Sequence, residues 1–219
     1  MKVLGLDEAG RGPVIGSMFI GGYMLEEDEK DFLTDLGVKD SKKLSDKKRN
    51  RIEEELEEKG EKFLKEITAE EIDQLREVMT LNEIETRAFA DVIERAEPDK
   101  VILDLPEPNP ERYIKKVKAE LPAKLQDIEI IAEHGADDTY PIVSAASIVA
   151  KTERENHVER LHEKYGYDFG SGYPHDPPVK EFLREYFHEN GELPSDTRRS
   201  WSSAEKIIEE ESQSGLSEF

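Results

Sequence analysis

The order of short apolar runs and helical stretches constrains this chain most. Two apolar runs come first: Val3-Leu4-Gly5-Leu6, then residues 14–25, rich in Ile, Phe, Tyr and Gly. Between them lies Asp7-Glu8-Ala9-Gly10-Arg11-Gly12-Pro13. Strand-like runs on either side of a Gly/Pro turn predict an antiparallel hairpin. From Ser45 the spacing turns helical, with Ile52 and Leu56 four apart before Gly60, a stop signal. Residues 63–67 suit a short strand. Thr68-Ala69-Glu70-Glu71 matches a capping box, in which the Thr oxygen and the Glu carboxylate each satisfy an orphan backbone N–H. Helices are expected over 81–96 and 110–121, with strands at 101–104 and 128–131. Strands that alternate with helices imply parallel pairing. Residues 141–165 read as one long helix and 178–190 as another, with Pro at the start of the latter and Gly191 after it. The predicted class is α/β: a mixed sheet that opens as an antiparallel hairpin, continues with parallel strands, is flanked by helices and ends in a C-terminal helical extension.

At 219 residues the chain suits one domain plus an extension. The expected bounds are 1–190 for the main domain, 191–212 for the helical extension and 213–219 for a flexible tail. The absence of Cys excludes disulfides, thiolate metal sites and Cys nucleophiles. The start, MKVLGLDEAG, has no long apolar run, so no signal peptide is expected. No stretch approaches the roughly 20 apolar residues of a membrane span, so the reading is cytoplasmic, with no membrane partner.

Acids outnumber bases 52 to 31, a net charge of −21. Taken alone this argues against a polyanionic partner, because affinity for phosphates comes from clustered Lys and Arg. The deficit is uneven. Residues 39–51 carry seven Lys and Arg against Asp40 and Asp46. One face can therefore be locally basic on an acidic molecule.

Three groups of acids fall at expected element ends: Asp7-Glu8, Asp104 and Asp137-Asp138. Carboxylates gathered at strand ends hold hard divalent cations, which take oxygen ligands and retain water. Two such ions about 3.5–4 Å apart can activate a water and stabilise a leaving oxygen in phosphodiester cleavage. Each acid alone is more simply a solvated group or a cap. Adjacent strand residues also face opposite sides of a sheet. Asp7 and Glu8 can share a cluster only where the strand ends or twists, which Gly10 and Gly12 would permit. The five His show no metal-binding pair and read as surface groups.

Four separated blocks carry a family resemblance. They are Asp7-Glu8-Ala9-Gly10-Arg11-Gly12; Lys39-Asp40-Ser41-Lys42-Lys43-Leu44; Ala136-Asp137-Asp138-Thr139-Tyr140-Pro141 with Ser144-Ala145-Ala146-Ser147 and Ala150-Lys151; and Gly170-Ser171-Gly172-Tyr173-Pro174-His175-Asp176-Pro177. In this order they resemble the motifs of ribonuclease HII, the type 2 ribonuclease H, in its archaeal form. The resemblance implies a ribonuclease-H-like fold and four catalytic, metal-binding carboxylates: Asp7, Glu8, Asp104 and Asp137. It implies two Mg²⁺ or Mn²⁺ ions per site. It also implies substrate contacts from Gly10, Arg11, Gly12, Lys39, Asp40, Ser41, Lys42 and Tyr173. Asp137 is preferred to Asp138 because the family's acid follows Ala and stands two residues before Tyr-Pro. The chain departs from the family pattern at Gly135, where Lys is frequent, and at Pro178-Val179, where Lys and Thr are frequent.

A ribonuclease H must sense a 2′-OH, the local difference between RNA and DNA. A Gly-rich loop brings backbone groups close to that hydroxyl, and Tyr173 would lie against the sugar at the RNA-to-DNA junction. The implied reaction is hydrolysis on the 5′ side of a ribonucleotide, in RNA/DNA hybrids or singly embedded in duplex DNA, leaving 3′-OH and 5′-phosphate. Gln213, Leu216 and Phe219 are spaced like a clamp-binding box that lacks its second aromatic, so a replicative sliding clamp is an expected partner of an otherwise monomeric enzyme. The charge of −21 then reads as adaptation to a salty cytoplasm. Competing readings are a Holliday-junction resolvase or deoxyinosine endonuclease on a related sheet, and an inactive acidic adaptor for the clamp.

Overall fold

β1 (Lys2–Ala9) and β2 (Met18–Glu26) form the antiparallel hairpin, with Lys2 opposite Glu26 and Ala9 opposite Phe19. The computed structural model describes residues 1–38 and 46–216, with side chains 46–50 and 214–216 left out. β2 begins at Met18, later than the apolar run 14–25 suggests. The reason is competition for backbone hydrogen bonds. Val14 N–H and Ile15 N–H donate to the Gly172 carbonyl at 2.9 and 3.3 Å, and Gly16 N–H donates to the Asp196 carbonyl at 2.8 Å. These residues are therefore held as a loop.

The remaining elements are α1 (Asp31–Leu36), α2 (Asp46–Lys59), β3 (Glu61–Ile67), α3 (Ala69–Arg76), α4 (Leu81–Ala96), β4 (Lys100–Asp104), α5 (Pro110–Glu120), β5 (Glu129–Glu133), α6 (Ala136–Thr139), α7 (Pro141–Tyr165), α8 (Pro177–Asn190) and α9 (Ser202–Leu216). The short helices α1 and α6 carry too little periodicity to be read from sequence. The capping box at α3 is complete: Glu71 N–H donates to Thr68 Oγ1 at 3.2 Å, and Thr68 N–H donates to Glu71 Oε2 at 2.8 Å. Helix α9 continues through Gln213 to Leu216, residues expected in the tail.

The chain divides into two compact units. The first comprises Met1–Ala9, Phe19–Glu66 and Leu81–Glu153. Its sheet has the order β3-β2-β1-β4-β5. β1 pairs antiparallel with β2 and parallel with β4, and β4 pairs parallel with β5, as the strand–helix alternation implies. Val143, Ala145, Ala146 and Ile148 of α7 pack with Val3, Tyr23 and Leu25 of the hairpin. Two glycines set how closely α7 approaches the hairpin. A Cβ on Gly5 would lie 2.2 Å from the Ile142 carbonyl oxygen, and one on Gly21 would lie 2.4 Å from the Ala146 carbonyl oxygen.

The second unit comprises Gly10–Met18, Ile67–Thr80 and Arg154–Phe219. Its core joins Val14, Ile15, Leu161, Phe169, Phe182, Ala204 and Ile207. Residue 190, the expected edge of the main domain, falls within this unit. The Asp73 carboxylate of α3 accepts from Arg199 N–H at 2.6 Å and Ser200 N–H at 3.0 Å, tying α3 to the segment before α9. Among the described residues no helix is long and apolar enough to cross a membrane.

Candidate active site

In the first unit, Asp7, Glu8 and Asp104 each offer a carboxylate oxygen, all within 4.8 Å of one another. Asp7 and Glu8 are consecutive residues of a strand that runs on to Ala9. They converge on Asp104 because β1 is released from one neighbour. Pairing with β4 ends at Leu6 opposite Leu103, whereas pairing with β2 continues to Ala9. The edge of β1 towards β4 therefore opens at Asp7.

Asp7 lies opposite Gly21. Cross-strand partners share a face of the sheet, and this face is the one that α7 covers at Gly21. The close approach buries Asp7, which is 6% exposed, beneath Ser147 of α7. Glu8 N–H donates to Asp7 Oδ1 at 2.9 Å. The Ser147 hydroxyl also bonds to this carboxylate. Lys151 Nζ donates to Ser147 Oγ at 2.6 Å. An ammonium can only donate, so the Ser147 proton is directed to Asp7. Burial, and then the charge of Glu8, push the Asp7 carboxyl up to about 8; Ser147 and Lys151 oppose this shift.

Asp104 closes β4 and is half-buried. Its Oδ1 accepts from Ala136 N–H at 2.8 Å, and Gly135 N–H also donates to its carboxylate. Gly135 has φ +64°, a left-handed conformation that side chains other than Gly rarely adopt, so the departure from the family pattern has a local use. Burial raises the Asp104 pKa, and the charge of Asp137 adds to the rise. Asp137 is thus an electrostatic neighbour of Asp104, although it is not one of the three carboxylates grouped within 4.8 Å. Asp137 is half-buried on α6, and Asp138 is exposed.

The second unit holds Gly10, Arg11, Gly12 and Tyr173, four of the residues expected to touch substrate. Gly10 has φ +81°, and a Cβ there would lie 2.8 Å from the Ser17 carbonyl oxygen, so only Gly fits. Tyr173 packs on Gly12, where an added Cβ would lie 3.0 Å from its ring. The Arg154 guanidinium lies 5.2 Å from the Tyr173 ring centroid. The loop of residues 10–16 and the turn bearing Tyr173 are thus one piece, joined by the bonds from Val14 and Ile15 to Gly172.

The family model described as ribonuclease HII matches residues 4–204. A ribonuclease HII of Methanosarcina barkeri is 44% identical, over 98% of this chain and 99% of the relative. The chain belongs to the ribonuclease HII family. The crystal structure of ribonuclease H2 from Pyrococcus horikoshii matches with a TM-score of 0.91 at 41% identity, over 97% of this chain and 100% of that one. The ribonuclease HII of a PCNA:RNase HII complex from Archaeoglobus fulgidus matches with a TM-score of 0.83 at 39% identity, over 92% and 96%. The mixed, helix-flanked sheet is the ribonuclease-H-like fold expected. As a ribonuclease HII the chain is a metal-dependent endonuclease, a hydrolase.

The carboxylate group suits such a metal requirement. It gathers hard oxygen donors, and burial with mutual repulsion raises the pKa values of Asp7 and Asp104, the electrostatic state that a divalent cation relieves. Lys39, Asp40, Ser41 and Lys42 lie outside the described residues, as does Phe219. Gln213 is exposed on α9; Leu216 ends that helix, and its side chain lies outside the description. Two His differ from the surface reading. His157 Nε2 accepts from Ser17 N–H at 3.2 Å, and His162 lies edge-on to Phe169. Sequence reasoning assigned no role to Ser147 and Lys151, though both stand in a motif. It also passed over Arg198, which no local pattern marks.

Proposed function

We propose that this ribonuclease HII hydrolyses the phosphodiester on the 5′ side of ribonucleotides. Its substrates are RNA/DNA hybrids and duplex DNA with single embedded ribonucleotides, and its products end in 3′-OH and 5′-phosphate. The grouping of Asp7, Glu8 and Asp104 carries this reading. With Asp137 these residues would hold two Mg²⁺ or Mn²⁺ ions. Ions so bound supply an activated water and neutralise charge on the departing oxygen. The chain's own part is to orient. Ser147 and Lys151 fix the direction of the hydrogen bond to Asp7, and the amides of Gly135 and Ala136 hold the Asp104 carboxylate. Gly10, Arg11 and Gly12 present backbone to the 2′-OH, with Tyr173 against the sugar. Lys39, Asp40, Ser41 and Lys42 bind phosphate in this reading.

The deciding assay is cleavage of a duplex containing one ribonucleotide, with Mg²⁺ or Mn²⁺. Cuts on the 5′ side of the ribose are the expected result. Cleavage of inosine-containing DNA or a four-way junction instead would favour the resolvase or deoxyinosine readings, and no cleavage would favour the adaptor. The Archaeoglobus relative forms a complex with PCNA, which supports Gln213, Leu216 and Phe219 as clamp contacts. Equal clamp affinity with and without residues 213–219 would exclude that role. The enzyme in this reading is a cytoplasmic monomer, and light scattering should return the chain mass of 25.1 kDa.

A further inference from the structure

Arg198 is the largest fully buried side chain described, at 0% exposure. Its three donor groups all reach carbonyls of one loop. Nε donates to Gly16 O at 2.9 Å, Nη1 to Arg11 O at 2.9 Å and Nη2 to Gly10 O at 2.6 Å. Its own backbone N–H donates to Val14 O at 2.8 Å. Trp201 adds a fifth carbonyl, with Nε1 donating to Gly12 O at 3.2 Å, and its ring lies 5.0 Å from the Arg198 guanidinium carbon. Burial pushes the guanidinium down to about 9, so it stays protonated at neutral pH. A buried cation is expensive unless fully hydrogen-bonded. Here the loop's peptide dipoles meet that need, so loop and cation hold each other in place.

The arrangement also has a direction. In a trans peptide C=O and N–H point opposite ways. With the carbonyls of Gly10 and Arg11 turned to Arg198, the amides of Arg11 and Gly12 are set on the other side. Lys could not replace this side chain, because its ammonium lacks the planar fork that spans several fixed acceptors.

We propose that Arg198 and Trp201 are positioning residues for ribonucleotide recognition, clamping the carbonyls of Gly10, Arg11, Gly12 and Gly16 so that the loop backbone is pre-set for the 2′-OH. This rests on the reading of that loop as the 2′-OH sensor. Preorganisation of this kind raises preference for the recognised group by removing the cost of ordering the loop on binding.

The test measures the affinity ratio between a duplex with one ribonucleotide and the same duplex in all-DNA form, with Ca²⁺ replacing Mg²⁺ to stall cleavage. Wild type should favour the ribonucleotide by about tenfold or more. Arg198→Lys should bring the ratio close to one, and Trp201→Phe should lower it about threefold, both with all-DNA affinity within about twofold of wild type. Arg199→Ala is the control. Its side chain meets Leu193 O and Glu192 and none of the loop carbonyls given above, so the ratio should stay. If Arg198→Lys fails to fold, Trp201→Phe decides. Variants that lose thermal stability or kcat but keep the wild-type ratio would overturn the proposal, since a merely structural role predicts that result. A wild-type ratio near one would instead remove the 2′-OH reading of the loop, and the proposal with it.

Discussion

Replacing Asp7 with Asn should abolish cleavage and, in the metal-free protein at neutral pH, make the fold more stable. The sign follows from proton linkage. The folded state pushes the Asp7 carboxyl up to about 8, against 3.8 for an ordinary aspartate. A raised carboxyl pKa means that the folded state binds the proton more tightly than the unfolded chain. The favourable contribution is complete below the unfolded value and is lost as pH rises through the folded one. At pH 7 the folded carboxyl keeps its proton while the unfolded one has lost it, so folding must take up a proton across about three pH units. At about 1.4 kcal/mol per unit this gives a ceiling near 4 kcal/mol. Asn needs no such proton but turns donors towards Ser147, which costs about 1 kcal/mol for a strained hydrogen bond. Water entry also softens the penalty. The expected net gain is about 1–3 kcal/mol, or about 3–10 °C in Tm for a chain of this size. Thermal or urea unfolding in EDTA from pH 4 to pH 8 measures it. The variant and wild type should converge near pH 4 and separate as pH rises. Added Mg²⁺ should then stabilise wild type far more than the variant. An Asn variant less stable than wild type at pH 7 in EDTA would refute this account of Asp7 as a carboxyl that burial keeps protonated.

Three further outcomes follow from the same geometry. Gly21→Val should cost about 3 kcal/mol or more in urea unfolding and depress activity, because its Cβ would sit 2.4 Å from the Ala146 carbonyl and push α7 off Asp7. Unchanged stability would contradict the close approach. Lys151→Met should raise the Mg²⁺ concentration for half-maximal cleavage several-fold at pH 7 and less at pH 9, because the lost ammonium no longer favours ionised Asp7; equal Mg²⁺ dependence would mean that the Ser147–Lys151 chain is inert. Cleavage should persist in about 1 M KCl, where the Debye length is roughly 3 Å and the surface acids no longer repel DNA; activity confined to about 50 mM salt would argue against a salt-adapted surface.

The elements and the family were legible in the linear chain because their signals are local. The capping box at Thr68, the limits of α4 and α7, the Gly/Pro turn after β1 and the four ordered motifs each lie within a few consecutive residues. The acids were nameable for the same reason. Their convergence was not, because neighbouring strand residues should point apart, and only the release of β1 from β4 after Leu6 lets Asp7 and Glu8 meet Asp104. The pKa of Asp7 is likewise a product of packing: α7 must rest on Gly5 and Gly21 before a helix hydroxyl can cover that carboxylate. Arg198 shows the limit most plainly. In sequence it is one of two adjacent arginines with nothing to separate them; in the fold one is exposed and the other bonds carbonyls as far as 188 residues away. Sequence by itself therefore determined which elements form, which family they serve and which acids are candidates. Tertiary structure alone decided which of those groups meet and with what charge, because burial and long-range hydrogen bonding depend on the path of the whole chain.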